Sequence, residues 1–138
     1  MDNLAQRINV ELENIDEILK GMPLHSKLPF LSALELADTA ALLHNFYNAI
    51  ENILKQIFIS IKIPIPEGKS WHKDLIESAV KENIITENCK NQLGHYLAFR
   101  HFFSHAYALD LYYDKIEPLV ENMEEVFSLF KSDISKYL

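Results

Sequence analysis

A chain of 138 residues with a formal net charge of −7 can bury one hydrophobic core, but it repels nucleic acid unless a local basic patch intervenes. Hydrophobic residues make up 49% and glycine occupies only 3 positions, which is typical of a globular helical protein and not of a disordered chain. The single cysteine, Cys89, excludes an internal disulfide and a thiolate-rich zinc site. With no secretory signal pattern and no apolar run of membrane-spanning length, we expect a soluble, cytoplasmic protein.

The first predicted helix spans residues 2–20, where apolar residues recur every three or four positions. Gly21, Pro23 and Pro29 then interrupt the pattern. The longest apolar stripe follows and predicts a core helix from about residue 32 to 61. Its apolar positions are Leu36, Ala40, Leu43, Tyr47, Ile50, Leu54, Ile57 and Ile61.

Glu51 and Lys55 stand four residues apart on the polar side of this long helix, a spacing that predicts an ion pair. The segment "KIPIPEGK", residues 62–69, cannot continue the helix because it contains two prolines and a glycine. We interpret it as a connection inside one domain, since neither flanking segment could bury its apolar stripe alone. Residues 1–138 are therefore predicted to form a single domain.

Two shorter helices are predicted next from their capping residues. Ser70 can cap a helix that runs through about residue 83, with Trp71 facing inward. Thr86 can cap the following helix, from about residue 87 to 109.

The last predicted helix begins with Asp114 and Glu117, which match a capping box, and Pro118 is tolerated near its first turn. Its apolar stripe contains Leu119, Met123, Val126, Phe130 and Ile134. The sequence shows no strand alternation and no internal repeat. We therefore predict an all-α fold, an antiparallel bundle of four to five helices.

The predicted helix 87–109 carries an arginine where its apolar row should face the core. Arg100 shares that row with Cys89, Leu93, Tyr96 and Phe103. Tyr107, seven residues further on, nearly eclipses Arg100, whereas His105 lies about 140° around the helix. A kink near Ser104, or a second copy of the helix, could bring Arg100 and His105 together. The second arrangement predicts a site at a dimer seam.

Two simpler interpretations of these residues stay open. Arg100 can stack on an aromatic ring of its own row and extend its charged end to water. His101 and His105 match the spacing of two zinc ligands, but "HFFSH" lacks the glutamate of the metalloprotease pattern and no third ligand is evident. The other histidines occur singly and are predicted as surface or hydrogen-bonded core residues: His25, His44, His72 and His95.

The stretch "RHFFSHAY", residues 100–107, resembles the R-x4-H-x-Y signature of the HEPN superfamily, and specifically of HepT-like toxins. The resemblance covers nearly the whole chain, since "FYNAIENILKQI", "PEGKSWHKDL" and "FRHFFSHAYALDL" follow in the order of one HepT-like subgroup. It implies an all-helical, HEPN-like fold, a homodimer, and metal-independent cleavage of RNA without a cofactor. It also implies a partner, an antitoxin with a minimal nucleotidyltransferase fold, which attaches AMP to the tyrosine of the signature. That tyrosine is Tyr107 in this chain.

The residue types suit this chemistry. RNA cleavage without a metal needs a base for the 2′-hydroxyl proton, an acid for the leaving oxygen and a cation on the phosphate. His105 can transfer protons near neutral pH, and Arg100 offers planar donors to a phosphate. His101, the polar residue after the arginine, is predicted to assist or to orient the substrate.

Substrate binding is predicted at Lys69, His72 and Lys73, which with Lys62 form the best candidate for a local basic patch. These residues could equally be a solvated loop. Two other classes of function also stay open. One is a non-catalytic HEPN module that binds a nucleotidyltransferase partner or a nucleotide, and the other is a helical interaction protein in which Arg100 makes structural hydrogen bonds.

Overall fold

The structure is a computed structural model that describes residues 3–105 and 111–138, without the side chains of residues 104 and 105. No strand occurs among the described residues, so the prediction of an all-α antiparallel bundle of four to five helices is confirmed. In the described segments, two short 3₁₀ helices accompany the α-helices, at His25–Phe30 and Ser135–Tyr137. The α-helices are α1 (Leu4–Gly21), α2 (Ala33–Ser60), α3 (Trp71–Lys81), α4 (Glu87–His105) and α5 (Tyr113–Asp133).

Helix α2 is the centre of the bundle, and α1, α3, α4 and α5 all pack against it. It begins with a full capping box, in which the Ser32 hydroxyl accepts from the backbone N–H of Glu35 and the Glu35 carboxylate accepts from the backbone N–H of Ser32. These two bonds lower the pKa of Glu35. The predicted core helix is confirmed to within a residue at each end.

Six residues of the apolar rows of α2 and α4 are predicted to be buried together, and five of them are fully buried: Leu43, Tyr47, Ile50, Leu54 and Leu93. The sixth, Phe103, is only half-buried, although it packs against the core cluster. At the ends of the α2 row, Leu36 is half-buried and Ile61 is exposed. A side chain of this size contributes about 1.5–3 kcal/mol when it leaves water. This shared apolar core fixes α2 against α4 and so determines which of their polar residues can meet.

Thr86 caps α4 as predicted, because its hydroxyl accepts from the backbone N–H of Cys89 at 3.2 Å. It also joins α4 to the end of α5. The Thr86 backbone N–H and hydroxyl both donate to one oxygen of Asp133, at 2.7 and 2.8 Å. Cys89 is buried beside this junction, and burial, with the negative charge of Asp133, raises the pKa of its thiol to about 12.

One predicted cap is wrong, and a second residue caps its helix by position but without the side-chain hydrogen bond. Helix α5 begins at Tyr113, so Asp114 already lies inside its first turn, and its N-cap residue Tyr112 has no short side-chain acceptor. Pro118 consequently falls in the second turn. Ser70 does stand before α3, but its backbone is not extended (φ −102°, ψ 21°), and its hydroxyl donates to the Asp74 carboxylate instead of accepting from a backbone N–H.

Within the described part of the chain, none of the helices combines the length and the apolar character needed to cross a lipid bilayer.

Candidate functional site

A row of polar side chains interrupts the otherwise apolar inner surface of α2. His44, Tyr47, Asn48 and Glu51 follow one another at intervals of three, one and three residues, so they share one face of the helix. Tyr47 and Glu51 are buried, and His44 and Asn48 are half-buried. We call these four residues the α2 polar row. Because α3 and α4 pack against α2, their own polar residues meet this row.

Helix α4 contributes Arg100 to the row. The Arg100 Nε–H donates to the Asn48 Oδ1 at 3.0 Å, and the Arg100 side chain is half-buried. Arg100 therefore lies on the side of α4 that faces α2, within the bundle. Asn48 orients the guanidinium through a neutral acceptor, which leaves its positive charge uncompensated by this bond.

Helix α3 contributes His72, whose Nδ1 lies 2.9 and 2.8 Å from the two carboxylate oxygens of Glu51. The Glu51 residue is only 2% exposed. The predicted ion pair between Glu51 and Lys55 on a polar side of α2 is therefore wrong. A carboxylate so deeply enclosed needs a donor inside the bundle, and the imidazole of His72 supplies it.

Lys55 takes a different position, with its Nζ 4.1 Å from the centre of the Trp71 ring. The Trp71 ring in turn packs against the His72 ring, with centroids 3.6 Å apart and the ring planes tilted by 31°. Cation, indole, imidazole and buried carboxylate thus form a continuous series of contacts from α2 to α3 and back. This series holds the start of α3 against the polar row.

Within the α2 polar row, the pKa of His44 is lowered and the pKa of Tyr47 is raised. Burial and then the positive charge of Arg100 lower the pKa of His44, against a smaller opposing effect of Glu51. Burial and then the Glu51 carboxylate raise the pKa of Tyr47, against Arg100, so the phenol stays protonated. The His44 ring packs on Phe103 with centroids 5.3 Å apart, and among the described residues its buried Nδ1 has no hydrogen-bond partner.

The structure separates the predicted site residue His101 from Arg100. His101 is exposed and lines a groove of about 1140 Å³ between α4 and α5, whereas Arg100 faces α2. Tyr96, Phe99 and Phe102 make much of that groove apolar.

The structure also separates the residues of the predicted basic patch, because its lysines and its histidine point to different surroundings. Lys69 and Lys73 are exposed, and the Lys73 ammonium lies 4.0 Å from Glu77. His72, by contrast, turns inward to Glu51. An exposed pair such as Lys73 and Glu77 contributes little, so both lysines remain available to an anionic ligand.

Two predicted site residues lie outside what the structure describes: the side chain of His105, and Tyr107 as a whole. Sequence reasoning missed His44, Asn48 and Glu51 as members of the site. Their spacing within an apolar helix was the available signal, because polar groups at one phase of a buried stripe must find polar partners on a neighbouring helix.

A family model described as "HepT-like protein" matches residues 38–138, which is well over half of the chain. The match includes most of α2 and all of α3, α4 and α5, and so every residue of the site. No curated protein and no solved structure matches the chain. Because this family model matches more than half of its residues, the chain belongs to the family of HepT-like proteins.

Proposed function

We propose that this chain is a metal-independent endoribonuclease and the toxin of a toxin–antitoxin pair. Membership of the HepT-like family supports a toxin module of this kind. The observation that carries the proposal is the half-buried Arg100, which is oriented by Asn48 within the polar row. A guanidinium held in this way is suited to a phosphate group.

The proposed reaction divides between Arg100 and the histidines of α4. Arg100 stays charged at all relevant pH values and binds the phosphate whose negative charge grows during cleavage. His105, five residues further on, transfers a proton. His101 assists from the groove side of α4, where it orients the RNA strand.

RNA reaches the site along the start of α3. The chain as a whole has a net charge of −7 and repels RNA, so binding needs a local group of positive charges. Lys69 and Lys73, which are exposed at the start of α3, supply these charges. His72 does not join them, because it turns inward to Glu51. Binding through a few phosphate contacts of this type weakens as salt concentration rises.

A second copy of the chain completes the proposed site. Arg100 and His105 lie about 140° apart around an ideal helix, so one α4 does not present both to the same phosphate. An isologous pairing of two α4 helices brings Arg100 of one copy near His105 of the other. The apolar groove beside α4 supports such an interface. Sedimentation at micromolar concentration should therefore show a homodimer, and an active monomer would contradict this arrangement.

The decisive experiment is cleavage of a mixed-sequence single-stranded RNA in buffer that contains EDTA. Wild-type protein should cleave it, and Arg100→Ala and His105→Ala should each lose about 10²- to 10⁴-fold in rate while keeping their helical circular dichroism. Arg7→Ala is the matched control for Arg100, because Arg7 is the only other arginine and donates to Gln56 on the α1 side of α2. A requirement for added metal, or full activity of either α4 variant, would refute the proposal.

A non-catalytic HEPN module that binds a nucleotidyltransferase partner or a nucleotide is the second candidate. In this candidate the hydrogen bond of Arg100 to Asn48 only joins two helices, and Arg100 takes no part in catalysis. In that case the wild-type protein leaves RNA intact but binds ATP or a small nucleotidyltransferase, which calorimetry would detect.

A further inference from the structure

We propose that His72 is a proton-transfer residue of the ribonuclease site and that Glu51 is the residue that positions it. This inference rests on the proposed function and deepens it. It departs from the sequence-based view of His72 as part of a cationic patch, because the structure places His72 against a buried carboxylate and not among the exposed lysines.

The orientation of the His72 imidazole favours proton transfer at its Nε2 atom. Nδ1 faces both oxygens of Glu51 at 2.8–2.9 Å, so the ring directs this nitrogen into the protein. The two ring nitrogens point in nearly opposite directions, and Nε2 therefore faces away from Glu51. The side chain of His72 is 19% exposed, against 3% for that of Glu51. A carboxylate that accepts the Nδ1–H fixes the tautomer and leaves Nε2 as the atom that can exchange a proton with a substrate.

The imidazole ring of His72 is also held by its neighbours. The Trp71 ring packs against it at 3.6 Å between centroids and a tilt of 31°, and Lys55 lies over Trp71. One face and one edge of the imidazole are therefore held by neighbours that belong to two different helices. A ring that served only as an exposed cation would need neither the buried acceptor nor the indole packed against it. Proton transfer requires such a fixed orientation, because the donor and acceptor atoms must approach within hydrogen-bond distance.

The pair of Glu51 and His72 meets the same stretch of α2 as Arg100 does. Glu51 and Asn48 are three residues apart on the same face of α2, one turn of the helix. Asn48 holds Arg100 and Glu51 holds His72, so the guanidinium and the imidazole flank the same turn.

The chemistry requires a second proton-transfer group. In metal-independent cleavage the 2′-oxygen forms a bond to phosphorus and gives its proton to a base, and the bond from phosphorus to the 5′-oxygen breaks as that oxygen receives a proton from an acid. The products are a cyclic phosphate and a 5′-hydroxyl. His105 can perform one transfer and Arg100 neither, because its guanidinium stays protonated. His101 faces the groove on another side of α4. His72 is therefore assigned the second transfer.

The test compares RNA cleavage in EDTA by wild type, His72→Ala, and the control His25→Ala. The control removes the imidazole of the other His–Glu pair in the described chain, where His25 Nδ1 lies 3.7 Å from Glu117 and both side chains are more than a third exposed. We expect His72→Ala to lose about 10²- to 10⁴-fold in rate and His25→Ala to cleave as wild type does. His72→Gln, which keeps most of the side-chain volume, covers the case in which the alanine variant unfolds.

Chemical rescue separates proton transfer from a structural role. Free imidazole should raise the cleavage rate of His72→Ala by about tenfold or more. Pyrazole, which is of similar size but a far weaker base, should not raise it. Glu51→Gln should slow wild-type protein yet have little further effect in the His72→Ala background, as expected for two residues that act as a unit. Equal rescue by both azoles, or a fully active His72→Ala, would overturn the inference while the proposed function stands. An inert wild-type protein would overturn both.

Discussion

Asn48 on α2 accepts a hydrogen bond of 3.0 Å from the Nε–H of Arg100 on α4. The bond crosses the interface between the two helices whose apolar faces form the centre of the core. Its donor is charged and half-buried, and a bond to a charged group is worth more than one between neutral groups. The side-chain amide of Asn48 on α2 therefore helps to orient the proposed phosphate-binding group.

Asn48→Ala should lower the free energy of unfolding by about 1–3 kcal/mol, because it leaves the half-buried guanidinium without this acceptor. It should also lower RNA cleavage, since Arg100 is then free to take other orientations. Urea unfolding followed by circular dichroism gives the first quantity. Asn45→Ala is the matched control, an exposed asparagine one turn earlier on α2. Equal stability of the two variants would show that the bond contributes nothing.

The lowered pKa of His44 predicts a pH dependence of stability. Below its ordinary pKa of 6.5 the unfolded chain binds a proton at this histidine more readily than the folded chain does. Stability should therefore be complete above about pH 6.5 and should fall as the pH is lowered toward the folded-state pKa. His44→Gln removes this contribution, so the difference in Tm between wild type and variant should change between pH 7.5 and 5.5. A constant difference would contradict the prediction.

The contact between Thr86 and Asp133 should be among the stronger polar contributions to stability, because one carboxylate oxygen accepts two bonds across the ends of α4 and α5. Asp133→Ala should cost about 1.5–3 kcal/mol in unfolding free energy. Thr86→Ala should cost about 1–2 kcal/mol through loss of the cap. The double variant should cost less than the sum, as expected for residues in direct contact. Ser132→Ala, an exposed change beside Asp133, serves as the control.

Tyr107 is the proposed site of control by the antitoxin. Incubation with a nucleotidyltransferase antitoxin and ATP should add AMP to Tyr107, and this adduct should abolish cleavage by bringing an anion and a bulky nucleoside to the phosphate-binding region. Peptide mass spectrometry locates the adduct, with Tyr112 and Tyr113 as internal controls on the same region of the chain. Inhibition of Tyr107→Phe by the same treatment would show that control depends on binding and not on modification.

The extent of α2 was predictable because its apolar stripe is long and its breaks on either side are made by prolines and glycine. The start of α5 was not. Asp114 and Glu117 satisfy the pattern of a capping box, yet the helix begins at Tyr113, next to the buried Leu111. Helix ends depend on where the core allows the chain to turn, which a local motif does not contain.

Glu51 is the clearest case of a side chain whose partner the sequence could not reveal. Along the chain, the spacing i, i+4 suggests Lys55 as the ion-pair partner of Glu51. In the folded protein its partner is His72, 21 residues away on another helix. Arg100 was more accessible to sequence reasoning, since its place in an apolar row predicts an inward direction. Its acceptor Asn48, 52 residues away, required the packing of α2 on α4.

Trp71 is the only tryptophan of the chain, and it contacts both Lys55 and His72. An intrinsic fluorophore is thus placed next to the pair formed by His72 and Glu51. Excited indoles are sensitive to a cation or an imidazole at contact distance, so a ligand or partner that displaces either neighbour should alter the emission of Trp71. Binding at the start of α3 can therefore be followed optically in the unlabelled protein, independently of any cleavage.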